Sequence, residues 1–153
     1  MNKTVLLLML LITGNSAFAA DKVLSKSAAI RFVKDFYDTL KSRDDKKLDT
    51  LIADNAVIKL KLLKMEQSFT LDKNDYLQQV RANWHFGAQD SYDLKDLNYS
   101  LTQAGLSATV SFKMTESRFI LGETVSQDET VDIGLTRVDD QVKITSIKAQ
   151  TTF

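Results

Sequence analysis

The sequence contains no cysteine and no proline, a single histidine, a single tryptophan and only 5 glycines in 153 residues. Without cysteine there are no disulfides, thiol nucleophiles or thiolate metal sites, and no lipid-modified cysteine of a bacterial lipoprotein. Without proline, no X-Pro isomerisation slows folding. With His85 as the lone imidazole, a zinc site lacks nitrogen and sulfur partners, and no metal is expected. Net charge is missing too: 20 Lys and Arg stand against 20 Asp and Glu, interspersed along the chain. That balance offers nothing to attract nucleic acid or an anionic membrane surface. No repeat, linker or low-complexity stretch appears.

What is present begins with a leader. Met1–Ala19 reads MNKTVLLLMLLITGNSAFA. Lys3 supplies a short positive start, Val5–Ile12 an apolar run, and Ala17-Phe18-Ala19 a small-residue cleavage signal. The run is far shorter than the roughly 20 apolar residues that span a bilayer. The pattern predicts a secretory signal peptide cut after Ala19, with the mature protein outside the cytoplasm, periplasmic or secreted. Lys3 is the leader's only charge, so its removal leaves one excess negative charge. The remainder, 20–153, has the length of one domain with a sizeable core.

The organising stretch is Gly105–Thr115, GLSATVSFKMT. Leu106, Ala108, Val110, Phe112 and Met114 share one parity, while Ser107, Thr109, Ser111, Lys113 and Thr115 share the other. Side chains alternate across a strand, so this is a strand with one buried and one polar face. A large buried apolar side chain is worth roughly 1.5–3 kcal/mol. A one-residue slip would therefore forfeit on the order of 8 kcal/mol, and the register is fixed.

Around it the chain reads in order. Ser25–Ser42 places Ala29, Val33, Phe36, Tyr37 and Leu40 at helical spacing. Arg43-Asp44-Asp45 turns into a short helix burying Leu48, Leu51 and Ile52. A strand follows with Ile58, Leu60 and Leu62 on one face, then a return strand within Glu66–Leu71. Asp72 caps a third helix to about Trp84, with Leu77, Val80 and Trp84 on its apolar side and Tyr76 at the edge. After Gly87 the period is two. A phase shift near Lys95 marks a bulge, Ser117–Gly122 is read as a connection, and a second bulge is expected near Thr145. The order α-α-β-β-α-β-β-β-β predicts an α+β fold, with three helices packed on a strongly curved, mostly antiparallel sheet.

The run FYDTLKSRDDKKLDTLIADNAVIKL, followed by TLDKNDYLQQV and four closing strands, resembles the nuclear transport factor 2-like superfamily, a cystatin-like α+β cone. The resemblance covers Ser25–Phe153. It implies a bent sheet wrapped around helices, with an open end that often holds an apolar ligand. Family members include ketosteroid isomerases, polyketide cyclases, dehydratases, non-catalytic binding proteins and secretion-system subunits, so the resemblance does not choose an activity. An isomerase of this family needs a carboxylate base, a tyrosine and a protonated aspartic acid. The corresponding positions fall on Leu60, on Phe36 or Tyr37, and near Gly134, which does not supply the set.

The residues expected to line a pocket for an apolar small molecule are Tyr37, Leu60, Trp84, His85, Tyr99, Phe112 and Met114. The bland alternative for the aromatics is a filled core. For His85 it is a helix C-terminus, where the helix dipole favours a cation. Gln127 and Glu129 have inward parity, but they sit far along a strand and are expected at its solvated end. Asp128 and Asp132 share the outer face. No catalytic residue and no cofactor is assigned. The leading expectation is a secreted or periplasmic small-molecule-binding or scaffold protein, pairing as a homodimer through its outer sheet face. One alternative is a cofactor-free isomerase, cyclase or dehydratase using Tyr37, His85 or Glu129. The other is an interaction module of an envelope or secretion complex. The intact mass of the exported protein is expected to correspond to a chain starting at Ala20; a mass retaining Met1 refutes cleavage.

Overall fold

The computed structural model describes residues 23–102 and 105–152. The Met1–Ala19 leader lies outside the described residues. Helix α1 spans Lys26–Ser42, α2 Asp45–Leu51 and α3 Lys73–Phe86. The strands are β1 Ile52–Leu62, β2 Gln67–Leu71, β3 Ala88–Thr102, β4 Ser107–Ile120, β5 Glu123–Val138 and β6 Gln141–Thr152. They form one curved sheet in the order β2-β1-β6-β5-β4-β3. The β1–β6 pair is parallel and the other pairs are antiparallel.

Each helix start has a side-chain cap. Ser25 Oγ accepts from Ala28 N, Asp44 from Lys47 N and Asp72 from Asp75 N, each satisfying a backbone donor that has no intrahelical partner. The strand parity holds. Val110, Phe112, Val131 and Ile133 are buried against the helices, whereas Lys113 and Asp132 are exposed. On the outer face, hydroxyls bond one another across strands, as in Ser117–Ser126 at 2.7 Å and Ser107–Thr136 at 3.1 Å.

Both bulges are present. The β3–β4 register shifts between Lys95 and Asn98, where Asp96 has φ 55°, and the β5–β6 register shifts opposite Thr145. Two expectations need correction. Leu106 is 46% exposed, because β4 starts one residue later and Leu106 belongs to the preceding turn. Ser117–Ile120 is strand rather than connection, and the turn is Leu121-Gly122 alone, both at positive φ. Such a two-residue hairpin matches the strand twist. The sequence concealed it because Glu116, Ser117 and Arg118 put polar groups on both faces, which removes the alternation.

One ionic knot fixes the helices to the sheet. Asp90 on β3, whose carboxylate is fully buried, accepts from Arg43 Nη2 at 3.1 Å and from Arg118 Nε at 2.6 Å. Arg43 ends α1 in the left-handed region at φ 57°, a conformation that costs a non-glycine residue roughly 1–2 kcal/mol. Its guanidinium also donates to the carbonyls of Trp84 and Gly87, each at 2.6 Å, and so closes the C-terminus of α3. Replacing Asp90 by Ala is expected to lower the unfolding free energy by roughly 3–5 kcal/mol in urea, because two cations lose their buried partner. Replacing Lys47, whose pair with Asp35 is exposed, should change it by less than about 1 kcal/mol. Equal losses would contradict the knot.

Candidate functional site

A cavity of about 200 Å³ opens between the helices and the inner face of the sheet. Tyr37 and Leu40 of α1 and Tyr76, Val80, Asn83 and Trp84 of α3 form one wall. Leu60, Tyr92, Met114, Val131, Ile147 and Ala149 line it from the strands. The sheet side changes character along its length. On β4 the inward sequence Phe112, Met114 continues as Glu116 and Arg118; on β5, Val131 gives way to Glu129 and Gln127; on β6, Ala149 gives way to Thr151. Register places Met114 opposite Glu129, Glu116 opposite Gln127 and Glu129 opposite Thr151. The polar groups therefore form one cluster at one end of the cavity.

That cluster is continuous with the knot. Arg118 Nη2 donates to Glu116 Oε1 at 2.7 Å. Gln127 Nε2 has two hydrogens, and it donates one to Glu116 Oε2 at 3.1 Å and one to Glu129 Oε1 at 2.7 Å. Thr151 Oγ1 donates to the same Glu129 oxygen at 3.1 Å. Glu129 Oε2 has no hydrogen-bond partner among the described residues, and neither does the Tyr37 hydroxyl.

Burial raises the proton affinity of Glu129 above the usual carboxylate range, and the nearby Glu116 raises it further. Burial also raises Glu116, against the pull of Arg118. Desolvation pushes Tyr37, Tyr76 and Tyr92 well up, so all three stay neutral phenols at physiological pH. The arrangement can hold a small molecule between aromatic and aliphatic walls, offer it neutral O–H donors, and exchange a proton through Glu129.

Of the residues singled out from sequence, Tyr37, Leu60, Trp84 and Met114 line the cavity. Phe112 lies beneath it as core, its ring edge-on to Tyr37 with centroids 5.7 Å apart. Tyr99 points elsewhere and donates its hydroxyl to the Leu24 carbonyl. His85 is exposed at the end of α3, its ring 5.1 Å from that of Phe86. Leu60 brings no carboxylate, and Gly134 packs so closely on Ser146 that a Cβ there would lie 2.3 Å from its Oγ.

Glu129 and Gln127 are the main correction. They are half-buried in the cavity wall rather than solvated at a strand end, because β4 and β5 run on past Met114 and Val131 and their inward side chains still face the cavity. Tyr76, Tyr92, Glu116, Arg118 and Thr151 were not anticipated. The available signal was parity, since Glu116 and Arg118 continue the inward positions of Phe112 and Met114.

The raised proton affinities carry a signed consequence. Between the ordinary carboxylate value of 4.5 and the raised value, the folded state holds more protons than the unfolded chain. Stability from this source is fully present below 4.5 and is lost as pH rises through the folded value. Glu129→Gln keeps an oxygen for Gln127 and Thr151 to donate to. It should be more stable than the parent at pH 7 and lose less stability between pH 4.5 and 7. Parallel pH profiles of urea unfolding would show that Glu129 titrates as a solvated group.

No family model matches the chain, and no curated protein matches it by sequence. Solved structures do match. The β subunit of the benzoate 1,2-dioxygenase from Burkholderia mallei ATCC 23344 superposes with a TM-score of 0.72 at 12% identity, covering 86% of this chain and 93% of that one. A putative scytalone dehydratase from Novosphingobium aromaticivorans DSM 12444 gives 0.68 at 15% identity, with 83% of each chain covered. A nuclear transport factor 2-like protein from Cytophaga hutchinsonii ATCC 33406 gives 0.69 at 11% identity, covering 84% of this chain and 98% of that one. With its helices, six-stranded sheet order and cavity between them, the chain has the fold of the nuclear transport factor 2-like proteins.

Proposed function

We propose that this protein binds a small, largely apolar molecule in the cavity between α1, α3 and the sheet. The observation that carries the reading is a cavity with aliphatic and aromatic walls and a few convergent polar groups at one end. Its volume of about 200 Å³ is below the roughly 300–1,000 Å³ of drug-sized sites, which restricts the ligand to a small molecule. Two of those groups, the Tyr37 hydroxyl and Glu129 Oε2, have no partner among the described residues. A ligand would give them one. The protein is read as exported, on its leader sequence, and as a homodimer paired through the outer sheet face.

A second reading has its own support. Glu129 has a raised proton affinity and shares the cavity with neutral phenols, the elements of a cofactor-free proton transfer with Glu129 as base and Tyr37 or Tyr76 as donor. One of the matched structures is described as a putative dehydratase, a reaction that needs such groups. His85 is removed from this reading by its exposure.

Native mass spectrometry of the purified protein tests the binding reading, and it reports the oligomeric state in the same spectrum. A small-molecule adduct is expected on the parent protein. Ala149→Phe, which fills the cavity opposite α3, should weaken retention of that adduct at least about tenfold while circular dichroism stays unchanged. A parent protein that carries nothing, and whose Trp84 fluorescence responds to no apolar small molecule, overturns the proposal. An unliganded monomer refutes the pairing as well.

A further inference from the structure

The charges around the cavity do not balance. The Asp90 carboxylate is satisfied by Arg43 and Arg118. Glu116 has Arg118 at 2.7 Å. Arg118 is the only basic residue lining the cavity among the described residues, and both of its acidic partners already claim it. Glu129 has no ion-pair partner among the described residues; it receives only the neutral donors Gln127 and Thr151, both on one oxygen. Its other oxygen, Oε2, is unclaimed.

The cavity that Glu129 lines is rich in aromatic residues. Tyr37 is 7% exposed, and its ring lies 5.2 Å from that of Tyr92. Tyr37 and Tyr76 line the same cavity as Glu129. Trp84 adds an indole to the same wall. Aromatic faces attract cations, most strongly where water is excluded, and a phenol oxygen accepts from an N–H as readily as it donates. An anionic ligand would meet two carboxylates. A neutral ligand would leave the charge of Glu129 uncompensated.

From this geometry we infer that the ligand is a small organic cation, a protonated primary or secondary amine with an apolar body. Its ammonium sits against Glu129 Oε2 and the tyrosine oxygens, and its body lies along Leu60, Met114 and Val131. The inference rests on the reading of this cavity as a binding site. It adds the charge of the ligand, which the apolar walls alone do not specify.

Trp84 is the only tryptophan and lines the cavity, so its fluorescence reports occupancy directly. The probes are 2-phenylethylammonium, its neutral counterpart 2-phenylethanol, and 3-phenylpropionate, each titrated at pH 7 into the parent and into Glu129→Gln. The ammonium should bind at least tenfold more tightly than the alcohol, and the carboxylate should not bind. In Glu129→Gln, whose Oε1 still accepts from Gln127 and Thr151, the ammonium should lose that advantage while the alcohol keeps its affinity. If the alcohol binds as tightly as the ammonium, or if Glu129→Gln keeps the full preference, the cation is wrong and the cavity reading stands. If no probe moves the fluorescence of a folded parent protein, both fail. Thermal melts of the two proteins separate loss of binding from loss of fold.

Discussion

The carboxylate of Asp90, enclosed between the guanidiniums of Arg43 and Arg118, is the interaction on which the rest of the structure leans. It ties together the ends of elements that the sheet ladder and the core have already brought close. Arg43 ends α1, Trp84 and Gly87 end α3, Asp90 opens β3, and Arg118 lies near the tip of the β4–β5 hairpin. A buried ion pair is weak support for net stability, since desolvation offsets most of its attraction. Its effect lies in specificity: another docking of α1 on the sheet would part Arg43 from Asp90, and another docking of α3 would take the Trp84 and Gly87 carbonyls away from the Arg43 guanidinium. The Arg43 backbone, held at positive φ, is a local cost that this docking offsets.

The same knot orients the cavity. Arg118 reaches from Asp90 to Glu116, Glu116 holds the Gln127 amide, and Gln127 holds Glu129. Fixing one guanidinium therefore fixes the polar end of the cavity through three further side chains. Gly87 belongs to this device. A Cβ there would fall 2.2 Å from Arg118 Cδ, so the glycine is demanded by the close approach of the arginine rather than by its own backbone angle.

Most of the fold was legible because hydrophobic period is a local signal with one dominant cause, an apolar face that must be buried. Val110, Phe112, Val131 and Ile133 announced their face, and the phase jump after Lys95 located a bulge that the Asp96 backbone confirms. The cap at Asp72 was legible for the same local reason. The site was less so. Where β4 and β5 enter the cavity wall, both faces are polar and the alternation vanishes, so Gln127 and Glu129 resembled a solvated strand end and Arg118 fell within an expected connection. Nothing local joins Arg43 to Asp90, or Asp90 to Arg118; only the assembled sheet brings them together. Tyr37, Trp84 and Met114 were found because they continue the apolar pattern into the cavity. Tyr99 and Phe112 continue the same pattern and end elsewhere, so the pattern gives the direction of a side chain and not its neighbours.

The polar end of the cavity is the place where this protein departs from the most stable solution open to it. The inward positions of β4, β5 and β6 carry apolar residues until the cavity, and further Leu, Val or Met there would have closed the cone as ordinary core. Instead the chain places a carboxylate among phenols and leaves one of its oxygens unclaimed. Burial of a charged group costs free energy unless it is paired, and the raised proton affinity of Glu129 is that cost expressed as chemistry. Sites where local rules are broken without a structural gain are where function is expected. The knot at Asp90 explains Arg43, Arg118 and, through them, Glu116, but it needs nothing from Glu129. The Oε1 of Glu129 is held by Gln127 and Thr151, while its Oε2 is open to the cavity, where water or a bound group reaches it. This is why the proposal for the ligand turns on its charge more than on its shape.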